Sequence, residues 1–265
     1  MGEKTKHDIP EREPGARRRE ILRWLYTPYC WSVMVPWLAL STVTLGALAV
    51  GVSKLSPRAA FHLGTLWAWL NCRVNWTWVS VKGRENAKKG ASYVVMSNHQ
   101  SQFDILAFYG HWGRQFRWVL KEELRKVPGI GWYCAAGGHV FIDRSDREKA
   151  FASLRAAKSL LDGGISVMFF PEGTRSKNGR MIPFKKGGFM MALQMGLPIL
   201  PVSISGSRHA LPSGLFRSLP GKINITIHEP IDTSRYTEET VEQLMSDTRA
   251  VIASGLTPWE RGDEK

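Results

Sequence analysis

The chain has 265 residues, a formal net charge of +13 at pH 7 and a pI near 9.9, which allows one catalytic domain with a smaller element beside it. Such a basic balance suits an anionic membrane or acidic small molecules; nucleic acid is disfavoured, because the basic residues form no recognised binding motif and seven of the eleven tryptophans lie before residue 80. Cys30, Cys72 and Cys134 are too widely spaced for a metal framework, and the absence of His-Glu-x-x-His, Gly-x-Ser-x-Gly and Gly-x4-Gly-Lys-Ser/Thr removes zinc, serine and nucleotide hydrolases as first readings.

Residues 1–23 are polar and mixed in charge, with Arg17, Arg18, Arg19 and Arg23 near the end, and are expected to form a disordered or surface-lying arm. Trp24 to Ser53 carries no charged residue over thirty positions, long enough for a membrane helix, although Pro28 and Pro36 perturb its first part. A second uncharged stretch, Ala59 to Cys72, is short for a span but suits a helix packed beside the first. The expectation is a membrane-embedded helical hairpin over 24–75, joined near Ser56-Pro57, with both ends on one face. The arginines before Trp24 favour the cytoplasmic face, the inner membrane in a bacterium. A buried helical pair and a cleaved signal peptide, with Ala47-Leu48-Ala49 as its cleavage site, are competing readings.

From Trp76 the pattern changes to short apolar runs separated by helical segments. Strands are expected at Trp76–Val81, Ser92–Met96, Arg117–Leu120, His139–Ile142, Ile165–Phe170, Ile199–Ser205 and Lys222–His228. Helices are expected at Phe103–His111, Asp146–Leu161, Lys185–Met195 and Glu238–Ala253. This alternation predicts an α/β domain over 76–265, a mostly parallel sheet flanked by helices.

Within that domain His99 is followed five residues later by Asp104. Histidine exchanges a proton near neutral pH, and a carboxylate beside it fixes its tautomer and stabilises the imidazolium. Residues five apart on one helix point about 140° apart, so the two meet only where the chain turns. Ser101 and Asp104 suggest that turn, with Ser101 as N-cap and Asp104 at N3 of a helix from Gln102. The alternative is a capping Asp104 and an ordinary loop histidine.

Two arginines follow apolar strands. Arg144 closes Gly138-His139-Val140-Phe141-Ile142-Asp143-Arg144, and Arg175 closes Phe170-Pro171-Glu172-Gly173-Thr174-Arg175. Guanidinium groups match phosphate oxygens, and turns after sheet strands are where open α/β sheets bind ligands. Gly173 lets backbone N–H groups approach an anion. A local surface ion pair between Glu172 and Arg175 is the competing reading.

These segments, with Leu200-Pro201-Val202, stand in the order of four blocks and resemble the glycerolipid acyltransferase family, in its 1-acyl-sn-glycerol-3-phosphate acyltransferase (PlsC-like) branch. The resemblance covers roughly Val94 to Ser205. It implies that His99 is the general base and Asp104 its orienter, and that Arg144, Glu172, Gly173, Thr174 and Arg175 hold the acceptor's phosphate. Lys121, in Lys121-Glu122-Glu123-Leu124, resembles a basic position of the family and adds charge to that pocket; Lys185 and Lys186 are lesser candidates of the same kind. His139 lies where the family varies and receives no role. The implied partners are lysophosphatidic acid, acyl-CoA or acyl carrier protein, and an anionic membrane; the implied chemistry needs no cofactor and no metal. Acyl transfer to another lysolipid or to glycerol-3-phosphate, hydrolysis of the thioester, and a non-catalytic lipid-binding protein are the alternatives.

Overall fold

The computed structural model describes residues 15–143, 163–214 and 216–263. The expected helix Asp146–Leu161 lies outside them. The chain opens with α1 (Ala16–Tyr29), a π-helical stretch (Cys30–Met34) and α2 (Val35–Ser53), forming one continuous 38-residue rod. The rod starts eight residues before the boundary expected at Trp24, so Arg17–Arg23 belong to a helix. The π stretch falls between Pro28 and Pro36. Proline has no N–H to give the carbonyl four residues back, and the side-chain hydroxyl of Ser32 donates to the Pro28 carbonyl there (2.7 Å).

A turn at 54–56 leads into α3 (Pro57–Val74). Ser56 caps it, its Oγ accepting the Ala59 N–H at 3.2 Å, and Pro57 holds the first helical position. The rod and α3 run back along each other: Tyr29 donates its hydroxyl to the Val74 carbonyl at 2.8 Å.

The remaining elements are β1 (Thr77–Lys82), β2 (Val94–Ser97), α4 (Phe103–His111), β3 (Phe116–Lys121), α5 (Ile130–Ala136), β4 (Val140–Ile142) and β5 (Ser166–Phe169). After them come α6 (Lys186–Met195), β6 (Ile199–Ser205), α7 (Ser207–Ala210), β7 (Gly221–Ile227), α8 (Val241–Ser254) and α9 (Pro258–Arg261). All seven expected strands are present, shifted by a residue or two at their ends. They form one sheet in the order β1-β7-β6-β2-β5-β3-β4, parallel except for the antiparallel pair β6/β7.

Central strands β2 and β6 are buried along their whole length, which is why their sequences are near-continuous apolar runs. Edge strand β1 instead alternates, with Trp78, Ser80 and Lys82 exposed. Val95, Leu200, Val202 and Ile204 face a core shared with α3, α4 and α5, where Phe61, Phe108, Phe116 and Trp118 meet edge to face. Val94, Met96 and Ile199 face a second core with Phe189 and Met191 of α6 and Leu244 and Ile252 of α8. Each fully buried large side chain contributes about 1.5–3 kcal/mol.

The rod touches this domain backbone to backbone. A Cβ on Gly46 would come within 2.7 Å of the Gly129 carbonyl oxygen, whereas one on Gly51 would meet nothing within 4 Å. Gly46→Leu is therefore expected to destabilise by at least about 1–3 kcal/mol through overpacking, while Gly51→Ala stabilises by about 0.5–1 kcal/mol. Thermal unfolding of both variants in detergent checks this; equal midpoints would show that the Gly46 crossing is loose.

Candidate active site

The expected site residues other than Arg144 follow the C-terminal ends of strands β2, β3 and β5, the edge where ligands bind in open α/β folds. β2 ends at Ser97 and the chain turns through Asn98, His99, Gln100 and Ser101 before α4 begins. His99 and Asp104 meet across this turn: Nδ1 of the ring lies 2.8 Å from Asp104 Oδ2. The same oxygen accepts the backbone N–H groups of Gln100 (2.7 Å) and Ser101 (2.8 Å), and Asp104 is fully buried.

The capping pattern differs from the expected one in one bond. Asp104 reaches back to the Ser101 N–H as a capping box requires, but Ser101 Oγ accepts from Phe103 N (3.0 Å), one residue early, and the helix starts at Phe103. Asp104 thus holds the His99 ring and caps the chain at once.

Because a carboxylate that already accepts two N–H groups faces Nδ1, the ring proton belongs on Nδ1 and leaves Nε2 as the unprotonated nitrogen. The His99 side chain is 12 % exposed, enough to meet a substrate. One face of its ring stacks on Phe170 (centroids 3.9 Å apart, 11° between planes), and Phe170 stacks in turn on Trp118 (5.8 Å, 22°).

Glu172, Gly173, Thr174 and Arg175 form the turn after β5, and this turn grips the main chain of His99 from both sides. Glu172 Oε1 accepts the His99 N–H at 2.7 Å, and the Ser176 N–H donates to the His99 carbonyl at 2.8 Å. Glu172 Oε2 accepts from Ile182 N at 3.2 Å. Glu172 is 1 % exposed, so it points inward and braces the turn. Burial pushes its carboxyl up to about 8, against the opposing effect of the His99 and Ile182 N–H groups; Asp104 nearby pushes the same way as burial.

Gly173 adopts φ +72°, a conformation that favours glycine, and the end of the Lys185 side chain lies where a Cβ would intrude, with Nζ 3.2 Å from that point. Lys185 thus reaches the turn that carries Arg175, while Lys186 is paired with Glu242 at 2.7 Å. Thr174 is exposed and Arg175 half-buried. Lys121 stands exposed at the end of β3, in register with Ile142 of β4. Arg144 lies outside the described residues. His139 is buried below the site; its Nδ1 accepts the Trp118 N–H (3.0 Å), and burial with help from Arg117 pushes its imidazole down to about 3, which keeps it neutral.

Three participants were not anticipated from the sequence: Phe170 as a stacking platform, Asn98 as a clip, and Glu260. Asn98 donates Nδ2 to the Ile204 carbonyl and accepts the Ile204 N–H, both at 2.8 Å, which fixes the turn to β6. A visible signal for Glu260 was Thr257-Pro258-Trp259-Glu260, a capping-box sequence that marks a short helix.

Comparison with known proteins places the chain in a family. An acyltransferase family model matches residues 78–205, which contain the turn of His99 and that of Arg175. A 1-acyl-sn-glycerol-3-phosphate acyltransferase of Chlamydomonas reinhardtii is 32 % identical over 233 residues, 87 % of this chain and 68 % of the algal one. The chain belongs to the glycerolipid acyltransferase family. It is an enzyme of that family's PlsC-like branch, with a mixed seven-stranded sheet flanked by helices. The crystal structure of the 1-acyl-sn-glycerophosphate acyltransferase PlsC from Thermotoga maritima superposes with a TM-score of 0.73 at 32 % identity, over 89 % of this chain and 95 % of that one. A chloroplastic 1-acyl-sn-glycerol-3-phosphate acyltransferase of Arabidopsis thaliana is 33 % identical over 75 % of this chain, which spans 55 % of that relative's length.

The buried Glu172 has a measurable signature. Its folded-state value of about 8 lies above the ordinary 4.5, so between those values the unfolded state has lost the proton that the folded acyltransferase keeps. Its contribution to stability is complete below about pH 4.5 and is lost as pH rises towards 8, at up to about 1.4 kcal/mol per pH unit. Unfolding midpoints from pH 5 to 8 are expected to fall more steeply in the wild type than in Glu172→Gln. Parallel slopes would mean that Glu172 is ionised in the folded state.

Proposed function

We propose that the enzyme moves an acyl chain from an acyl thioester, of coenzyme A or acyl carrier protein, to the free hydroxyl of 1-acylglycerol-3-phosphate, giving phosphatidic acid. The observation that carries this reading is the His99 ring, tied through Nδ1 to buried Asp104 and open at Nε2 beside a turn that ends in an arginine. The relatives named for this activity support the choice of acceptor.

In the reaction, Nε2 of His99 takes the proton from the acceptor hydroxyl as its oxygen attacks the thioester carbonyl. Asp104 stabilises the imidazolium that forms. The tetrahedral oxyanion collapses, the C–S bond breaks, and the thiolate leaves with the proton returned by His99. No acyl-enzyme and no metal is needed. Arg175, Arg144 and Lys121 hold the acceptor's phosphate, Arg with planar forks and Lys as a point charge. Glu172 serves that site indirectly, by fixing the main chain of His99.

The acceptor is an amphiphile, so the enzyme works at a membrane surface. The helical rod is the means. At 1.5 Å per residue its 38 residues measure about 57 Å, close to twice the ~30 Å hydrocarbon core. Its exposed apolar side chains run from Ile21, Trp24 and Leu25 through Trp31 and Leu40 to Leu48, with Leu55 beyond its end. A rod that is uncharged from Trp24 to Ser53 and exposed on the side turned away from the domain suits burial in the hydrocarbon of a membrane. Arg17, Arg18 and Arg19 at its start meet anionic headgroups, on the cytoplasmic face.

Mass spectrometry tests this reading. Purified enzyme in anionic lipid receives an acyl thioester and a panel of lysolipids with glycerol-3-phosphate. Phosphatidic acid is expected as the main product, and His99→Ala and Asp104→Asn each lower its rate roughly 10²–10⁴-fold. A different His99-dependent product would overturn the acceptor; full turnover by His99→Ala would overturn the base. Arg175→Ala is expected to raise KM for lysophosphatidate far more than for an acceptor without phosphate, and equal effects on both would remove Arg175 from the phosphate site.

A further inference from the structure

Glu260 lies 55 residues beyond the end of the family-matched segment, on the four-residue helix α9. Part of its bonding is ordinary: Thr257 Oγ1 accepts the Glu260 N–H at 3.3 Å and Glu260 Oε2 accepts the Thr257 N–H at 3.0 Å, a reciprocal capping box. The rest is not. A capping carboxylate normally faces water, whereas Glu260 is 5 % exposed. Its Oε1 accepts from Gln100 Nε2 (3.1 Å) and Gly206 N (2.9 Å), and its Oε2 also takes the Ser205 hydroxyl (2.6 Å). One buried carboxylate therefore joins the C-terminal segment to the end of β6 and to the turn that carries His99.

The direction of the Gln100 bond is fixed by its surroundings. Its Nε2 lies between two acceptors, Glu260 Oε1 and the Ile204 carbonyl (3.2 Å), so the amide nitrogen has to face them. The backbone N–H of the same Gln100 donates to Asp104 Oδ2, the oxygen that also meets His99 Nδ1. A continuous path runs Glu260, Gln100, Asp104, His99. The neighbouring residues brace the other side: the Glu260 carbonyl accepts from Met181 N (2.8 Å), and Trp259 Nε1 donates to the Asn178 carbonyl (3.2 Å), both on the loop after Arg175.

A four-residue helix has no stability of its own. What it holds in place is the turn of the base, reached from a part of the chain that the family model does not include. We propose that Glu260 is a positioning residue for acyl transfer, fixing the His99–Asp104 pair through the side chain of Gln100. This rests on the acyl-transfer reading for its kinetic effect but not for its structural one.

The experiment uses the full chain in anionic lipid and compares the wild type with Glu260→Gln, Gln100→Met and the double variant, below the unfolding midpoint of each. In Glu260→Gln one carboxylate oxygen becomes an NH2 facing donors. In Gln100→Met the link is cut with α9 untouched, so this variant decides the matter where Glu260→Gln does not fold. Because small displacements of a reacting group cost up to about a hundredfold, each single change is expected to lower kcat roughly ten- to a hundredfold with KM for lysophosphatidate unchanged. The double variant loses no more than the worse single one. Wild-type kcat in Gln100→Met, or losses that multiply in the double variant, would overturn the proposal.

A readout independent of turnover separates this proposal from the choice of reaction. The downfield proton resonance of His99 Nδ1–H, assigned by its disappearance in His99→Ala, is expected in the wild type and is expected to broaden or vanish in Gln100→Met. An unaltered resonance there overturns the positioning role. A wild type that shows the resonance and acylates no acceptor overturns the acyl-transfer reading and leaves the positioning role standing.

Discussion

A short turn with nowhere to place its backbone donors governs this structure. When β2 ends, the N–H groups of His99, Gln100 and Ser101 are inside the protein and belong to no strand or helix. An unpaired buried N–H costs about 1–3 kcal/mol. The chain answers with carboxylates: Glu172 takes the first donor, and Asp104 takes the second and third. Since a carboxylate with two short backbone bonds cannot wander, the third partner of Asp104 Oδ2, the imidazole of His99, is held at 2.8 Å by the same bonds that satisfy the turn.

The rest of the domain supplies what that turn leans on. Both cores extend to the site edge. On one side the aromatic packing of Phe116 and Trp118 continues through Phe170 to the face of His99, so the ring is held by stacking as well as by its hydrogen bond. On the other, β6 meets the turn through Asn98, which substitutes for a ladder neighbour with paired bonds to Ile204. The antiparallel return of β7 on β6 covers that flank of the sheet, and the edge strand β1 pairs with β7 in parallel.

Much of this was legible in the chain because burial writes itself into sequence. Strands buried on both faces appear as apolar runs, and all seven were found at their places, with their ends off by a residue or two. The His99–Asp104 pair was legible because its spacing demands a turn and its Ser-x-x-Asp supplies one. Glu172 was harder: in Phe170-Pro171-Glu172-Gly173-Thr174-Arg175 an acidic residue in a polar turn looks exposed, and only the fold shows that it turns inward. α5 carries too few apolar repeats over Ile130–Ala136 to announce a helix. Glu260 is the extreme case. Its capping box is visible locally, but its partner Gln100 is 160 residues away, and no periodicity encodes a contact of that range.

Two buried carboxylates so close to one histidine raise an electrostatic difficulty that the structure resolves by unequal environments. Asp104 has three hydrogen-bond donors on one oxygen, whereas Glu172 has one backbone donor on each of its oxygens and is almost fully buried. Burial wins at Glu172 and pushes it up to about 8, so at neutral pH it accepts the His99 N–H mostly as a neutral acid. It thereby fixes the main chain of His99 without bringing a charge of its own beside the imidazole. Two carboxyl groups from different segments thus hold one turn, and what separates them is how many donors each oxygen meets.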